Sequence, residues 1–199
     1  MAKIILATRN QHKVKELSFF LGGLPIEILT LNEYPGLPPL VEDGATFREN
    51  AVKKARQVFD STGLVSLADD SGLEVFFLNG RPGVWSARYA GEETNDEANN
   101  RKLLFEMRGV APRRRRAQFR AFLALVGNGI EEITEGECPG RLAESPRGTN
   151  GFGYDPIFLP DGFERTYAEL TSDEKNRISH RSRAFDKMRV VLQEKILRP

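Results

Sequence analysis

The sequence predicts an α/β fold on three observations. Short apolar runs of strand type, Ile4 to Thr8, Glu27 to Leu31 and Ala117 to Val126, alternate along the chain with stretches whose apolar residues recur at helical spacing. Several helical stretches open on a capping box, a Thr followed three residues later by Glu: Thr46 with Glu49, Thr94 with Glu97, and Thr171 with Glu174. Finally, 199 residues that are 40% hydrophobic and 29% charged suit one compact domain, residues 1–199, with a substantial core.

The first run, Ile4 to Thr8, reads as a buried strand. Arg9-Asn10-Gln11-His12-Lys13 leads from it into a helix with Val14, Leu17 and Leu21 on one stripe and Asn10 as N-cap. Cations crowd that helix start, where the macrodipole disfavours each by ~0.3–1 kcal/mol. A bound anion reverses the penalty. A strand, a tight turn and a helix N-terminus form a phosphate site; a solvated basic helix end is the alternative. The Walker A pattern G-x-x-x-x-G-K-[ST] is absent from the chain.

Glu27 to Leu31 is a second strand, and Tyr34 to Pro39, with three prolines, is a loop that ends it. In the helix after Thr46, Phe47, Ala51, Ala55, Val58 and Phe59 mark the buried side, while Asn50 and Lys54 lie one turn apart on a shared polar surface. Glu42, just ahead of this helix, either favours its dipole or serves as an acidic group for a metal.

Val65-Ser66-Leu67-Ala68-Asp69-Asp70-Ser71-Gly72 is an apolar strand that delivers two carboxylates into a glycine-containing turn. Alternation places Ser66, Ala68 and Asp70 on one face, and Val65, Leu67 and Asp69 on the other. Asp70 then faces small neighbours, with room for a ligand. Such hard oxygens suit Mg2+, which takes one or two carboxylates together with substrate phosphates; an ordinary strand end satisfying turn backbone groups is the other reading.

Leu73 to Leu78 reads as a strand closed by a tight turn at Asn79-Gly80, and Thr94 starts a helix through Met107. Arg113 to Arg116 is the most basic run. A solvated strand start accounts for it, and an RNA-binding patch is the alternative. Glu131 to Cys138 pairs with Ala117 to Val126 through a turn at Gly127-Asn128-Gly129. In Gly148 to Pro156, the glycines flanking Phe152 leave its ring open for a planar ligand, and Asp155 is placed to accept from a base edge; a plain loop with an aromatic plug is the alternative. Along the last helix Ile178, Phe185, Met188, Leu192 and Ile196 share a stripe with Arg181, whose guanidinium must find an acceptor there, leave the helix register or snorkel outward. Lys175, Ser179, His180 and Arg181 read as a polar cluster beside the core.

A net charge of +1 gives no global field for nucleic acid or an anionic membrane. The single Cys138 forms no intramolecular disulfide, and two histidines with one cysteine exclude a zinc constellation. No signal sequence or membrane span is recognisable, so a cytoplasmic protein is expected.

Several separated motifs, in order, resemble the inosine triphosphate pyrophosphatase family, from Lys3 to the last helix. They are Thr8-Arg9-Asn10-Gln11-His12-Lys13, Glu42-Asp43-Gly44 with Thr46-Phe47 and Glu49-Asn50-Ala51, Ala68 to Leu73, Pro82-Gly83 with Ser86-Ala87-Arg88-Tyr89, Gly151 to Pro156, and Ser179-His180-Arg181. The resemblance implies an elongated mixed β-sheet flanked by helices, with two lobes around a central cleft, a homodimer and a Mg2+ requirement. It implies hydrolysis of non-canonical purine nucleoside triphosphates (ITP, dITP, XTP) to the monophosphate and pyrophosphate. By the same resemblance, Thr8 to Lys13 hold phosphates, Asp70 is catalytic base and metal ligand, Glu42 assists at the metal, and Ser71 touches the substrate. Phe152, Gly153, Tyr154, Asp155, Lys175, His180 and Arg181 receive the nucleotide, chiefly its base. The family commonly has Gly where Arg9 stands, so here an Arg side chain replaces a close backbone approach.

The mechanism expected is in-line attack of water on the α-phosphorus, with Lys13 and Lys54 adding positive charge and Asp70 or Asp69 taking the proton. Arg181 is expected to be the main base discriminator and His180 a secondary one, because a guanidinium donates to a keto oxygen and cannot accept from an adenine amino group. A pyrophosphatase for modified pyrimidine nucleotides, a non-catalytic nucleotide sensor and an RNA-binding module remain as alternatives.

Overall fold

The computed structural model describes residues 1–91 and 95–198. Thr94, expected in a capping box, lies outside them. The chain folds into a six-stranded sheet of order β2-β1-β3-β4-β5-β6: β1 Ala2–Leu6, β2 Ile26–Thr30, β3 Ser66–Val75, β4 Arg116–Gly127, β5 Ile130–Leu142 and β6 Phe158–Pro160. β1 is parallel to both β2 and β3, whereas β5 and β6 are antiparallel, so the sheet is mixed. The helices are α1 Gln11–Leu21, α2 Phe47–Thr62, α3 Asp96–Glu106, α4 Ser172–Ile178 and α5 His180–Leu192.

The chain divides into two compact units: Met1–Asp70 with Ala121–Gly136 and Arg181–Pro199, and Ser71–Arg120 with Glu137–His180. In the first unit β1 follows a βαβ path in which α1 returns the chain to β2, the connection a parallel pair requires. Ile4, Leu6 and Leu67 pack with Leu17 and Leu21 of α1 and with Phe185 and Met188 of α5. Ile5, Ala7 and Ala68 pack with Ala51, Ala55 and Val58 of α2. Strand residues thus alternate between two helical layers. The second unit has its own core, with Leu73, Leu103, Phe119, Ile157, Phe158 and Tyr167 all buried.

Local signals explain most helix ends. The Asn10 side chain accepts from the backbone N–H of His12 and Lys13, Thr46 from that of Glu49, and the Thr171/Glu174 capping box forms as expected. Gly63, at φ +69°, closes α2 in the left-handed conformation. α3 is capped by Asn95, which accepts from Ala98 N–H.

Three expectations need correction. The Asp-Asp-Ser-Gly stretch is not a strand end, because β3 continues unbroken to Val75. Leu73 to Leu78 is therefore not a separate strand, and residues Phe76–Leu78 turn into a short 3-10 segment. The last helix is two helices, since Ser179 adopts an extended conformation (ψ 156°) between α4 and α5.

The basic run is mostly structural. Arg115 is buried and donates to the carbonyls of Met107, Leu142 and Ala143. Arg116 makes a two-bond fork to Asp161, and Arg114 lies over the Phe77 ring. Among the described residues no helix is long and apolar enough to cross a membrane.

Candidate active site

β3 carries the chemistry of the first unit. Its pleat sends Ser66, Ala68 and Asp70 toward α2, and Leu67 and Asp69 toward α1 and α5. This is the alternation expected from the sequence. On the α2 side, the Lys54 ammonium donates to Asp70 Oδ1 (2.8 Å), Glu42 Oε1 (2.6 Å) and the Asp69 carbonyl (2.8 Å). All three ammonium protons are thereby placed. Burial works against the Lys54 charge, but Asp70 and Glu42 outweigh it and raise the ammonium above its ordinary value.

On the opposite face Asp69 is fully buried and clasped by two cations. Lys13 Nζ lies 2.6 Å from Oδ1, while Arg181 Nε donates to Oδ2 (2.9 Å) and Nη2 to Oδ1 (3.2 Å). The remaining Arg181 nitrogen, Nη1, donates to Glu16 of α1. Burial opposes ionisation of Asp69, yet Arg181 and Lys13 prevail and hold its carboxyl well below the usual range. Asp70 behaves oppositely: burial pushes it up, and Lys54 and Lys13 only partly offset that. Neighbours in sequence, the two carboxylates are shifted in opposite directions.

Lys13, one of the cations that crowd this helix start in the sequence, has a protein counter-charge, because its long side chain reaches Asp69. The rest of that loop is more open. Arg9, Asn10, Gln11 and His12 are exposed and Thr8 is buried, with Thr8 Oγ1 accepting from Asn10 N–H and Arg9 Nη2 donating to the Leu37 carbonyl. The Asn10 cap already engages two of the N–H groups expected to be open to an anion.

In the second unit the Gly148 to Pro156 loop forms a small polar nest. Gly151 (φ +76°) and Gly153 (φ +60°) hold left-handed turns on either side of Phe152. A Cβ on Gly151 would lie 2.0 Å from Asp155 Oδ2, so only glycine lets that carboxylate close the loop. The same oxygen accepts from Phe152 N–H (2.9 Å) and from Lys175 Nζ (2.6 Å), and Lys175 also lies 5.0 Å from the Phe152 ring centroid. Tyr154 is buried and donates its hydroxyl to the Ser86 carbonyl; burial pushes its ionisation up. His180 stacks on Phe119 at 4.7 Å between centroids. Ser71, next to Asp70 in β3, is half-buried.

The structure therefore sorts the expected residues into two sets. Lys13, Glu42, Lys54, Asp69, Asp70 and Arg181 lie together in the first unit, and Phe152, Gly153, Tyr154, Asp155, Lys175 and His180 in the second. The Arg181 guanidinium finds the acceptor that its place on an apolar stripe demands, in the buried carboxylates of Asp69 and Glu16.

Residues 4–191 match the model of the Ham1 family. The chain belongs to that family. The dITP/XTP pyrophosphatase of Geobacter sulfurreducens is 50% identical to this Ham1 chain over 186 residues, covering 93% of this chain and 94% of its own length. That of Bacillus licheniformis is 48% identical over 195 residues, covering 98% and 100%. A solved HAM1 protein from Coxiella burnetii aligns with a TM-score of 0.89 at 42% identity, over 98% of this chain and 100% of that one.

Three functional candidates of this Ham1 chain escaped sequence reading. Glu16 sits one helical turn beyond Lys13, a spacing that marks a shared face but does not reveal a buried Arg partner. Asp96 and Asn100, one turn apart at the start of α3, bond the two backbone groups of Gly153. Their spacing on a helix was the available signal, obscured by the placement of the cap at Thr94.

Proposed function

We propose that this Ham1 chain hydrolyses non-canonical purine nucleoside triphosphates, ITP, dITP and XTP, to the monophosphate and pyrophosphate, and so removes deaminated purines from the nucleotide pool. The observation that carries the reading is the division of labour at β3: one carboxylate clasped by Lys13 and Arg181, and its neighbour on the other face beside the buried Lys54 that also holds Glu42. The relatives named dITP/XTP pyrophosphatase support the substrate class.

In this reading Asp70 takes a proton from the attacking water as its oxygen bonds to the α-phosphorus, and the bond to the bridging oxygen breaks to release pyrophosphate. A carboxylate raised in pKa is the better base, so Asp70 is preferred to Asp69. Lys54 and Lys13 carry positive charge where negative charge develops on the phosphates. Asp69, with Arg181, fixes the Lys13 ammonium. Phe152, Asp155, Lys175 and His180 receive the base, and Thr8 to His12 the phosphates.

The donor set fits Mg2+ bound through substrate. No cluster of three or more acidic, His or Cys side chains exists among the described residues, but Asp70 and Glu42 converge on one ammonium. Two carboxylates with phosphate oxygens are what Mg2+ accepts, and the ion would neutralise the leaving group. Exposed Trp85 and Phe105 in the second unit support the further proposal of a homodimer, which sedimentation tests directly. The intramolecular bonds of Arg114, Arg115 and Arg116 argue against RNA as partner.

The test is a panel of nucleoside triphosphates incubated with protein and Mg2+, with products identified. Monophosphate and pyrophosphate from ITP or XTP are expected. Orthophosphate with nucleoside diphosphate would refute the reading.

A further inference from the structure

Phe152 is the aromatic platform of the second unit, and within the loop its backbone is tied to Asp155, through Phe152 N–H to Oδ2 and Asp155 N–H to the Phe152 carbonyl. Glycines on both sides remove side-chain packing from the loop and widen its conformational choice, at an entropic cost when it orders. One side of the loop borders a cavity of about 880 Å3, lined among others by Asn100, Phe105, Gly151, Phe152 and Gly153. Close packing therefore does not fix the loop there.

Two hydrogen bonds from α3 do. Gly153 N–H donates to Asp96 Oδ2 at 2.6 Å, and Asn100 Nδ2 donates to the Gly153 carbonyl at 2.9 Å. Asp96 and Asn100 stand four residues apart, on one face of the helix. Both polar groups of one peptide-flanking glycine are thus held by a single rigid element. Asn100 is buried, and its amide orientation is dictated by the carbonyl it faces. Its Oδ1 has no hydrogen-bond partner among the described residues, so the Nδ2 bond alone holds the side chain in place. Asp96 is at the first residue of the helix, where a carboxylate is favoured, which costs the clamp nothing.

We propose that Asp96 and Asn100 are positioning residues for base recognition: they clamp Gly153 so that the Phe152 ring and the Asp155 carboxylate are presented in fixed geometry to a purine. The inference rests on the proposed function for its substrate and names residues that touch no nucleotide themselves.

The test exploits the unequal chemistry of the two clamps. Asp96→Asn keeps an acceptor oxygen, so near wild-type behaviour is expected. Asn100→Asp is isosteric but replaces a donor with an acceptor facing a carbonyl, so it should behave like Asn100→Ala or worse. For Asn100→Asp, Asn100→Ala and Asp96→Ala, KM for inosine triphosphate should rise about tenfold with kcat nearly unchanged. Inhibition by inorganic tripolyphosphate, which has no base, should not change. Backbone amide exchange at Phe152 to Tyr154, measured without nucleotide, should accelerate in the same three variants and not in Asp96→Asn. A fall in kcat at constant KM, parallel weakening of tripolyphosphate inhibition, or unchanged amide exchange would each overturn the clamp. A wild-type protein that does not turn over inosine triphosphate refutes the proposed function instead, and amide exchange then decides the clamp by itself.

Discussion

Asp69 and Asp70 are consecutive in β3, yet Asp69 meets Arg181 at 2.9 Å while Asp70 meets Lys54 at 2.8 Å on the other face of the strand. The pleat alone separates them. Each carboxylate then acquires its own electrostatic environment, one pushed down and one pushed up in pKa, and pairs driven apart in this way take different chemical tasks.

Replacement by asparagine should therefore give opposite phenotypes. Asp70→Asn removes the base with little change in volume and should abolish turnover while the protein stays folded, because Glu42 and the Asp69 carbonyl still hold the buried Lys54. Asp69→Asn deprives a fully buried Arg181 of its main counter-charge and should cost about 3–5 kcal/mol in denaturant unfolding. Substantial kcat in Asp70→Asn, or an Asp69→Asn variant as stable as wild type, would reverse the assignment.

Arg181 supplies the second prediction. Its guanidinium donates to Asp69 and Glu16, so we expect it to act at the phosphate end rather than in base choice. Arg181→Lys keeps the charge but loses the fork. Its kcat/KM for ITP and for ATP should fall in equal proportion, leaving their ratio intact. A ratio that narrows, with ITP losing far more than ATP, would restore the role in base selection expected from its donor-only guanidinium.

How far the sequence could carry the reading follows from the range of the forces involved. Strand alternation from Ser66 to Asp70 and the caps at Asn10, Thr46 and Thr171 are local, and each was legible because the residues that make it lie within a few positions. The two helical layers over β1 and β3 follow from the same periodicity. The Arg181 partnership joins residues 112 apart, and no periodicity encodes it. The apolar stripe of the last helix leaves Arg181 to find an acceptor, leave the register or snorkel outward, and nothing in it points to Asp69. Likewise the break at Ser179, where the backbone turns extended, interrupts a helical pattern that the sequence carries through without a Pro or Gly. The bonds of Asp96 and Asn100 to Gly153 leave only a helical spacing in the sequence, because their partner is backbone, whose groups carry no sequence signature.

The cap of α4 yields a pH prediction. Glu174 accepts from Arg165 and from Thr171 N–H, and these hydrogen bonds lower its pKa from 4.5 to about 2. A depressed folded-state value means stabilisation that is complete above the unfolded value of 4.5 and is lost as pH falls through about 2. The unfolding midpoint of wild type should exceed that of Glu174→Gln at neutral pH, and the gap should close on acidification across that window. Because Glu174 and Arg165 are solvent-screened, high salt should narrow the gap as well. A gap that is flat from neutral to low pH would show that Glu174 contributes through packing and not through its charge.

The last prediction concerns the metal, and Lys54 sets its terms. The ammonium already draws Asp70 and Glu42 together, so the two carboxylates that would hold a cation are preassembled. Glu42 is the more exposed of the pair, its side chain 40% accessible against 11% for Asp70, and it is the one whose loss leaves the buried Lys54–Asp70 contact in place. Glu42→Gln should consequently raise the Mg2+ concentration for half-maximal activity by about tenfold, since one unit charge near the ion is worth ~1 kcal/mol or more at this degree of exposure. At saturating Mg2+ much of kcat should return, because the base and its lysine are untouched. Chelation of divalent ions should abolish turnover in both proteins and be reversed by added Mg2+. Turnover that survives chelation would remove the metal from the mechanism and leave Lys54 as the cation that Asp70 and Glu42 are arranged to hold.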